Sequence, residues 1–161
     1  MILSGCISGT KAYESIQWRI LVLIAGMLAM GQAMDQTGAA QWIAQQVTDL
    51  QGVFGAPGLV VVTLIVAALL TEMISNAAVA AVLVPVALKI AAELDVNPEP
   101  FIMAVAFGAS LSFLTPVGYQ TNTLVYGAGG YRFSDFARVG APLVVILWAI
   151  AGWLIPVIWP L

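Results

Sequence analysis

The chain has 161 residues, of which 61% are hydrophobic and only 8% charged, with a formal net charge of −3 and a mean hydropathy of +1.01. Soluble domains carry about 25% charged residues, so this composition places the chain in a membrane. With no histidine, a His-based triad, an H-E-x-x-H zinc site and a His-ligated haem are excluded for this chain alone. The single Cys6 cannot close an intrachain disulfide and reads as a packing residue. Five basic residues are too few and too scattered for a nucleic-acid surface, so no nucleic acid is expected as a partner.

Residues 1–10 read as the end of an apolar segment. Neither a basic n-region nor a small-residue cleavage site marks a signal peptide, and the expectation is a fragment, the last part of a longer protein. Lys11, Glu14 and Arg19 form a short polar stretch, with Trp18 at the membrane interface as aromatic belts require. Ile20 to Met34 is a nearly unbroken apolar span that ends at Asp35-Gln36-Thr37-Gly38, with Gln32 and Asp35 near the outer interface. Ala39 to Leu50 is amphipathic, Trp42, Ile43 and Val47 on one side and Gln41, Gln45, Gln46 and Asp49 on the other, and is expected near the surface.

Gly52, Gly55, Pro57 and Gly58 are a cluster of breakers. The apolar run from Gly58 to Ala92 is too long for one crossing, since a bilayer core takes about 20 helical residues. At its centre stands the polar knot Thr71-Glu72-Met73-Ile74-Ser75-Asn76, so the run reads as a hairpin of two helices over 58–93. Glu93 to Pro100 turns the chain back. Phe101 to Leu114 is helical and rich in Ala, Gly and Ser, which suits a helix packed against other helices. Thr115 to Asn122 interrupts it, and Thr123 to Ala128 resumes, giving one broken helix over 101–128. Gly129 to Asp135 reads as a loop, and 139–161 as a final span. Placing Lys11 and Arg19 in the cytoplasm puts Arg132 and Arg138 there too, and the C-terminus outside, by the positive-inside rule. Lys89 is the exception, outside and balanced by Glu93 and Asp95.

Polar breaks at membrane depth are costly unless buried in protein or lining a wet cavity, and so they mark ligand sites. Freed carbonyls and hydroxyls suit sodium, and half-helix N-termini suit anions. Ser75 and Asn76 are therefore expected to form half of an ion and substrate site. They are equally good caps for the second hairpin helix whatever the protein does, and proline with glycine can simply kink a membrane helix. A carboxylate at the bilayer centre, Glu72, costs about 2.5–3.5 kcal/mol and must meet a partner. Proton coupling and a bond to freed backbone N–H groups are both open, the second favoured. Tyr119 and Gln120 are plausible neighbours of a substrate. An enzyme is not expected, because no second carboxylate is placed to pair with Glu72.

At these residues the sequence resembles the divalent anion–sodium symporters, the sodium/sulfate and sodium/dicarboxylate permeases, over essentially its whole length. Thr71-Glu72-Met73-Ile74-Ser75-Asn76-Ala77 resembles the family's hairpin signature, Ser-Asn-Thr preceded by Thr-Glu. Thr115-Pro116 followed by Asn122-Thr123-Leu124-Val125-Tyr126-Gly127 resembles its broken helix. The resemblance implies an all-α membrane protein: the second inverted repeat of a secondary transporter, with a re-entrant helical hairpin and a discontinuous helix. It implies sodium ligation by Thr71, Ser75, Asn76 and Thr115, and a small anion facing Ser75, Asn76, Ala77, Pro116, Thr121 and Asn122.

It further implies sodium as coupling ion with no other cofactor or metal. The partners it implies are an N-terminal repeat of the same polypeptide, a second copy in a homodimer, and the lipid of the cell membrane. Ala77 departs from the signature threonine, and Val117 to Thr121 lengthens the gap between Thr-Pro and Asn. Both lean the substrate toward sulfate rather than dicarboxylate. The rivals are a related arsenite or citrate type of carrier, with proton coupling through Glu72 open to it, and a non-transporting membrane scaffold.

Overall fold

The computed structural model describes residues 8–14 and 18–161, the side chains of Gly9, Ala12, Arg19 and Ile20 excepted; Cys6 and the apolar segment before it lie outside the described residues. Every regular element described is an α-helix. They are α1 (Gly9–Glu14), α2 (Trp18–Gln36), α3 (Ala39–Thr48), α4 (Gln51–Thr71), α5 (Asn76–Leu94), α6 (Glu99–Gly108), α7 (Gln120–Gly129) and α8 (Phe133–Ile158). Helices α4, α5 and α8 are each long and apolar enough to cross a membrane.

The breaker cluster before the hairpin acts at one position. Gly55 takes φ 65° and ψ 175°, a conformation closed to residues with a Cβ, and kinks α4 just ahead of Pro57. From there α4 runs to Thr71, and α5 returns from Asn76. The core lies where α6 packs against both: Leu59, Val60, Leu64 and Ala67 of α4, Val79, Val86 and Ile90 of α5, and Phe101, Ala104 and Val105 of α6 are all buried. Small residues let the backbones close up. A Cβ on Gly108 would lie 2.5 Å from the Leu64 carbonyl oxygen and 2.6 Å from Ala67 Cβ. Without hydrophobic drive between helices in lipid, such close backbone contact is a main source of their association.

Helix α3 is amphipathic as expected, but its buried stripe is Ala40 and Ala44, with Ile43 and Val47 packed beside them. Trp42 is 65% exposed, because small residues fit against α5 more closely than an indole does. On the C-terminal half of α5, Glu93 accepts hydrogen bonds from Gln41 Nε2 and from Thr48 Oγ1 at 3.0 Å. Lys89 is therefore not balanced by Glu93 and Asp95; its ammonium pairs with Asp35 of α2 at 2.6 Å. Asp95 instead takes the left-handed conformation that ends α5 (φ 54°).

Three boundaries move. The helix expected over Phe101–Leu114 stops at Gly108, and helix resumes at Gln120, so the irregular segment covers 109–119 rather than 115–122. The expected loop at 129–135 is shorter, because α8 starts at Phe133. Asp135 Oδ2 accepts the Arg132 N–H at 2.8 Å, and an acidic group in the first turn suits the helix dipole. One face of α8, carrying Val139, Leu143, Ile146, Ile150, Trp153 and Val157, remains exposed, as a membrane helix meeting lipid or a further part of the protein requires.

Candidate functional site

The hairpin tip is made by two local events. After Thr71 the chain tightens, with Met73 N–H and Ile74 N–H both donating to the Leu70 carbonyl at 3.0 and 3.1 Å. Ser75 is then extended (φ −63°, ψ 147°), and its hydroxyl accepts the Ala78 N–H at 3.3 Å. That is the N-cap that Ser-Asn predicted, and it starts α5 at Asn76. The amides of Asn76 and Ala77 fall in the first turn, where helix geometry supplies no carbonyl partner.

Facing the tip is the irregular segment after α6. The last α-helical bond is Ala109 N–H to Val105 O, and two tighter turns then unwind the helix, Ser110 N–H to Phe107 O and Leu111 N–H to Gly108 O. This leaves the Ala109 carbonyl pointing at the hairpin. The Thr71 hydroxyl lies 2.9 Å from it and 2.7 Å from Asn76 Oδ1. A hydroxyl has one proton and can donate to only one acceptor at a time. Three neutral oxygens therefore converge on a single proton beside a fully buried Thr71. Such a cluster has lone pairs to spare, and hard cations prefer oxygen ligands.

Glu72, 8% exposed, completes the junction. Its Oε1 accepts the Leu114 N–H at 2.8 Å and its Oε2 the Thr115 N–H at 2.9 Å. Of the two roles open for this carboxylate, the structure displays the bond to freed backbone N–H groups. Further along, Gly118 N–H donates to Thr115 Oγ1 at 3.0 Å. Asn122 spends both amide hydrogens on the segment, donating to the Ser112 carbonyl at 2.8 Å and the Thr115 carbonyl at 3.1 Å. Thr123 Oγ1 donates to the buried Pro116's carbonyl at 2.9 Å. The break is thus a tied loop, and it delivers the chain to Tyr119, extended, from which α7 starts.

Of the residues singled out in the sequence, Thr71 and Asn76 meet directly, and Thr115 joins them through Glu72. Ser75 caps α5 and is exposed, Ala77 is half-buried behind it, and Thr121 is exposed in the first turn of α7. A cavity of about 390 Å³ lies beside the segment, lined by Phe113, Val125, Tyr131, Phe136 and Leu143 with Asn122 and Asp135 at its polar edge. Its lining is largely apolar: Asn122's hydrogens are engaged, Asp135 is acidic, and the Tyr131 hydroxyl is the side-chain donor that remains. The Ala109 carbonyl and the Glu72–Leu114 contact were not foreseen. A backbone group has no side-chain signature, and the run 108–112, mostly small residues, reads as uninterrupted helix.

Residues 9–161 match the family model described as the sodium:sulfate symporter transmembrane region. An uncharacterized transporter of Synechocystis is 45% identical over 147 residues, covering 91% of this chain and 24% of its own length. Sodium/sulfate cotransporter 1 of Chlamydomonas reinhardtii is 33% identical over 156 residues, 96% of this chain and 18% of its own length. Solute carrier family 13 member 2 of Oryctolagus cuniculus is 31% identical over 148 residues, 89% of this chain and 25% of its own length. The chain therefore spans about a quarter or less of the length of these relatives.

Proposed function

The chain belongs to the sodium:sulfate symporter family, and on that premise we propose that it supplies one half of the transport site of a sodium-coupled carrier for a small divalent anion. The observation that carries this reading is the Thr71 hydroxyl standing between Asn76 Oδ1 and the Ala109 carbonyl. Sodium takes neutral oxygens at unwound membrane helices. In this reading Thr71, Asn76 and the Ala109 carbonyl hold it, with Ser75 and Thr115 completing the set as the tip adjusts.

The anion lies against the first turns of α5 and α7, near Ser75, Asn76, Ala77, Pro116, Thr121 and Asn122. There unpaired amides and two helix dipoles favour negative charge. Asn122 contributes by fixing the segment, because its own donors are already used. Sodium binds first and offsets the anion's charge, since neither break contains a basic side chain. Sulfate is preferred over a dicarboxylate because Ala77 brings no hydroxyl to the substrate side. Proton coupling through Glu72 is less well supported, as both its oxygens already accept backbone N–H groups.

α4 and α5 form a re-entrant hairpin with its tip at Glu72–Ser75, and α6 with α7 a discontinuous helix. Together with α2 and α8 they make the second of two inverted repeats. An N-terminal repeat of the same polypeptide brings the other half-site. The complete transporter sits as a homodimer in the cell membrane, with its C-terminus outside. Uptake of labelled sulfate by the complete transporter in vesicles tests the proposal. It should require an inward sodium gradient and collapse in Asn76→Ala; uptake indifferent to sodium would sink it.

A further inference from the structure

We infer that Glu72 is a positioning residue that couples sodium at the hairpin tip to the shape of the anion-facing segment; this rests on the function proposed above. Glu72 follows Thr71 directly in the chain, so its backbone moves with the hydroxyl assigned to sodium. Its carboxylate grips two consecutive amides of the other element, those of Leu114 and Thr115 at 2.8 and 2.9 Å. Those residues open the stretch that continues through Pro116 and Gly118 to the first turn of α7. A carboxylate needed only to satisfy itself could be served by any donor. This one spans the two breaks and joins the ion half of the site to the anion half.

The segment is shaped to receive it. A Cβ on Gly118 would stand 2.7 Å from Glu72 Oε2, 3.2 Å from Ser112 Cβ and 3.3 Å from Thr115 Oγ1. A methyl group at this position would press on the carboxylate oxygen and on the Ser112 and Thr115 side chains. Thr115 is held from both sides, its N–H by Glu72 and its hydroxyl by the Gly118 N–H. Fixing the tip with sodium therefore fixes 114–118, and with it the N-terminus of α7. A glutamine at 72 has one carbonyl oxygen for two N–H donors and turns an NH₂ toward the other amide, so the two-point grip is lost while side-chain size is kept.

Coupling between two ligands is reciprocal: if sodium tightens the anion, the anion tightens sodium by the same factor. Sodium should be titrated into the purified complete transporter, with tryptophan fluorescence as the signal, at zero and at saturating sulfate. The wild type is expected to show sodium affinity raised about 5- to 150-fold by sulfate, the usual span of such couplings. In Glu72→Gln the ratio should fall toward one, and Glu72→Asp, which restores the carboxylate one methylene short, should recover part of it. Gly118→Ala, which leaves Glu72 in place but crowds Oε2, should lower the ratio as well, and serves where Glu72→Gln does not fold. A coupled wild type with an undiminished ratio in either variant overturns the inference alone. A wild type with no coupling at all overturns the sodium-coupled reading and this inference with it.

Discussion

The Thr71 hydroxyl sits 2.7 Å from Asn76 Oδ1 across the tip of the hairpin, and the same hydroxyl meets a carbonyl freed by the end of α6. Local chain geometry brings the first two together, and tertiary packing brings the third. Thr71→Val keeps the branched shape and removes the hydroxyl, leaving the Ala109 carbonyl and the Asn76 amide without that partner. Leaving such groups unpaired costs about 1–3 kcal/mol. Thermal unfolding of the complete transporter without sodium should show this loss. Sodium should then protect the variant much less than the wild type, because a ligand stabilises only in proportion to its binding.

Ser75 separates two roles for one hydroxyl. As a cap it accepts the Ala78 N–H; as an ion ligand it would turn to sodium. Replacing a serine cap by alanine costs about 1 kcal/mol, but by glycine only a few tenths. If capping is its main task, Ser75→Gly should keep near wild-type stability and sodium affinity while Ser75→Ala loses stability. If ligation matters, both variants should weaken sodium binding to a similar degree, read as the half-saturating sodium concentration for uptake.

These two sites also show how far the sequence could be read. The Ser-Asn cap, the tip and the existence of a second break were legible, because each is written in side chains whose local chemistry forces a turn. The true start of the second break was not. Ala109, Ser110 and Leu111 carry nothing that forbids a helix, and the unwinding follows from packing. Gly108 presses against the α4 backbone, and Glu72, far away in sequence, takes the amides a continued helix would have used. Trp42, on the apolar side of the amphipathic stretch, is exposed, while the stripe of α3 that is fully buried against its neighbours is Ala40 and Ala44.

Gly108 gives a direct check on that packing. Gly108→Ala puts a methyl group 2.5 Å from the Leu64 carbonyl oxygen and 2.6 Å from Ala67 Cβ, which forces α4 and α6 apart. Overpacking of this kind typically costs about 1–3 kcal/mol. The expected result is a lower unfolding temperature, with Ala67→Gly partly restoring it by removing one of the two clashing atoms. Unchanged stability in Gly108→Ala would show that the α4–α6 contact is looser than described.

Asn122 should tolerate substitution poorly although it is uncharged and the segment it ties, 109–119, carries no charged residue. Its two N–H donors hold the Ser112 and Thr115 carbonyls together across the break. Asn122→Asp is nearly the same size but replaces both donors with acceptors, setting a carboxylate against two carbonyl oxygens. Expression and folding should fall, or sulfate uptake should drop at least tenfold in whatever folds. Asn122→Gln, which keeps the amide on a longer stem, should do less damage. Equal activity in Asn122→Asp and wild type would remove this residue from the architecture of the site.

Outside the site, Asp35 of α2 and Lys89 of α5 form an ion pair at 2.6 Å, with 57% and 37% of their side chains exposed. It stands at one end of a largely apolar groove of about 600 Å³ between the two helices. Pairs this open to solvent contribute about 0–1 kcal/mol, so neither Asp35→Asn nor Lys89→Gln should change stability by more than that. Their value lies in register, since reversing one charge sets like charges face to face. Asp35→Lys should therefore be more harmful than Asp35→Asn, and combining it with Lys89→Asp should recover the loss. A double-mutant cycle on unfolding temperature isolates that interaction. Additive effects, with no recovery in the double variant, would mean the two helices meet through their apolar faces alone.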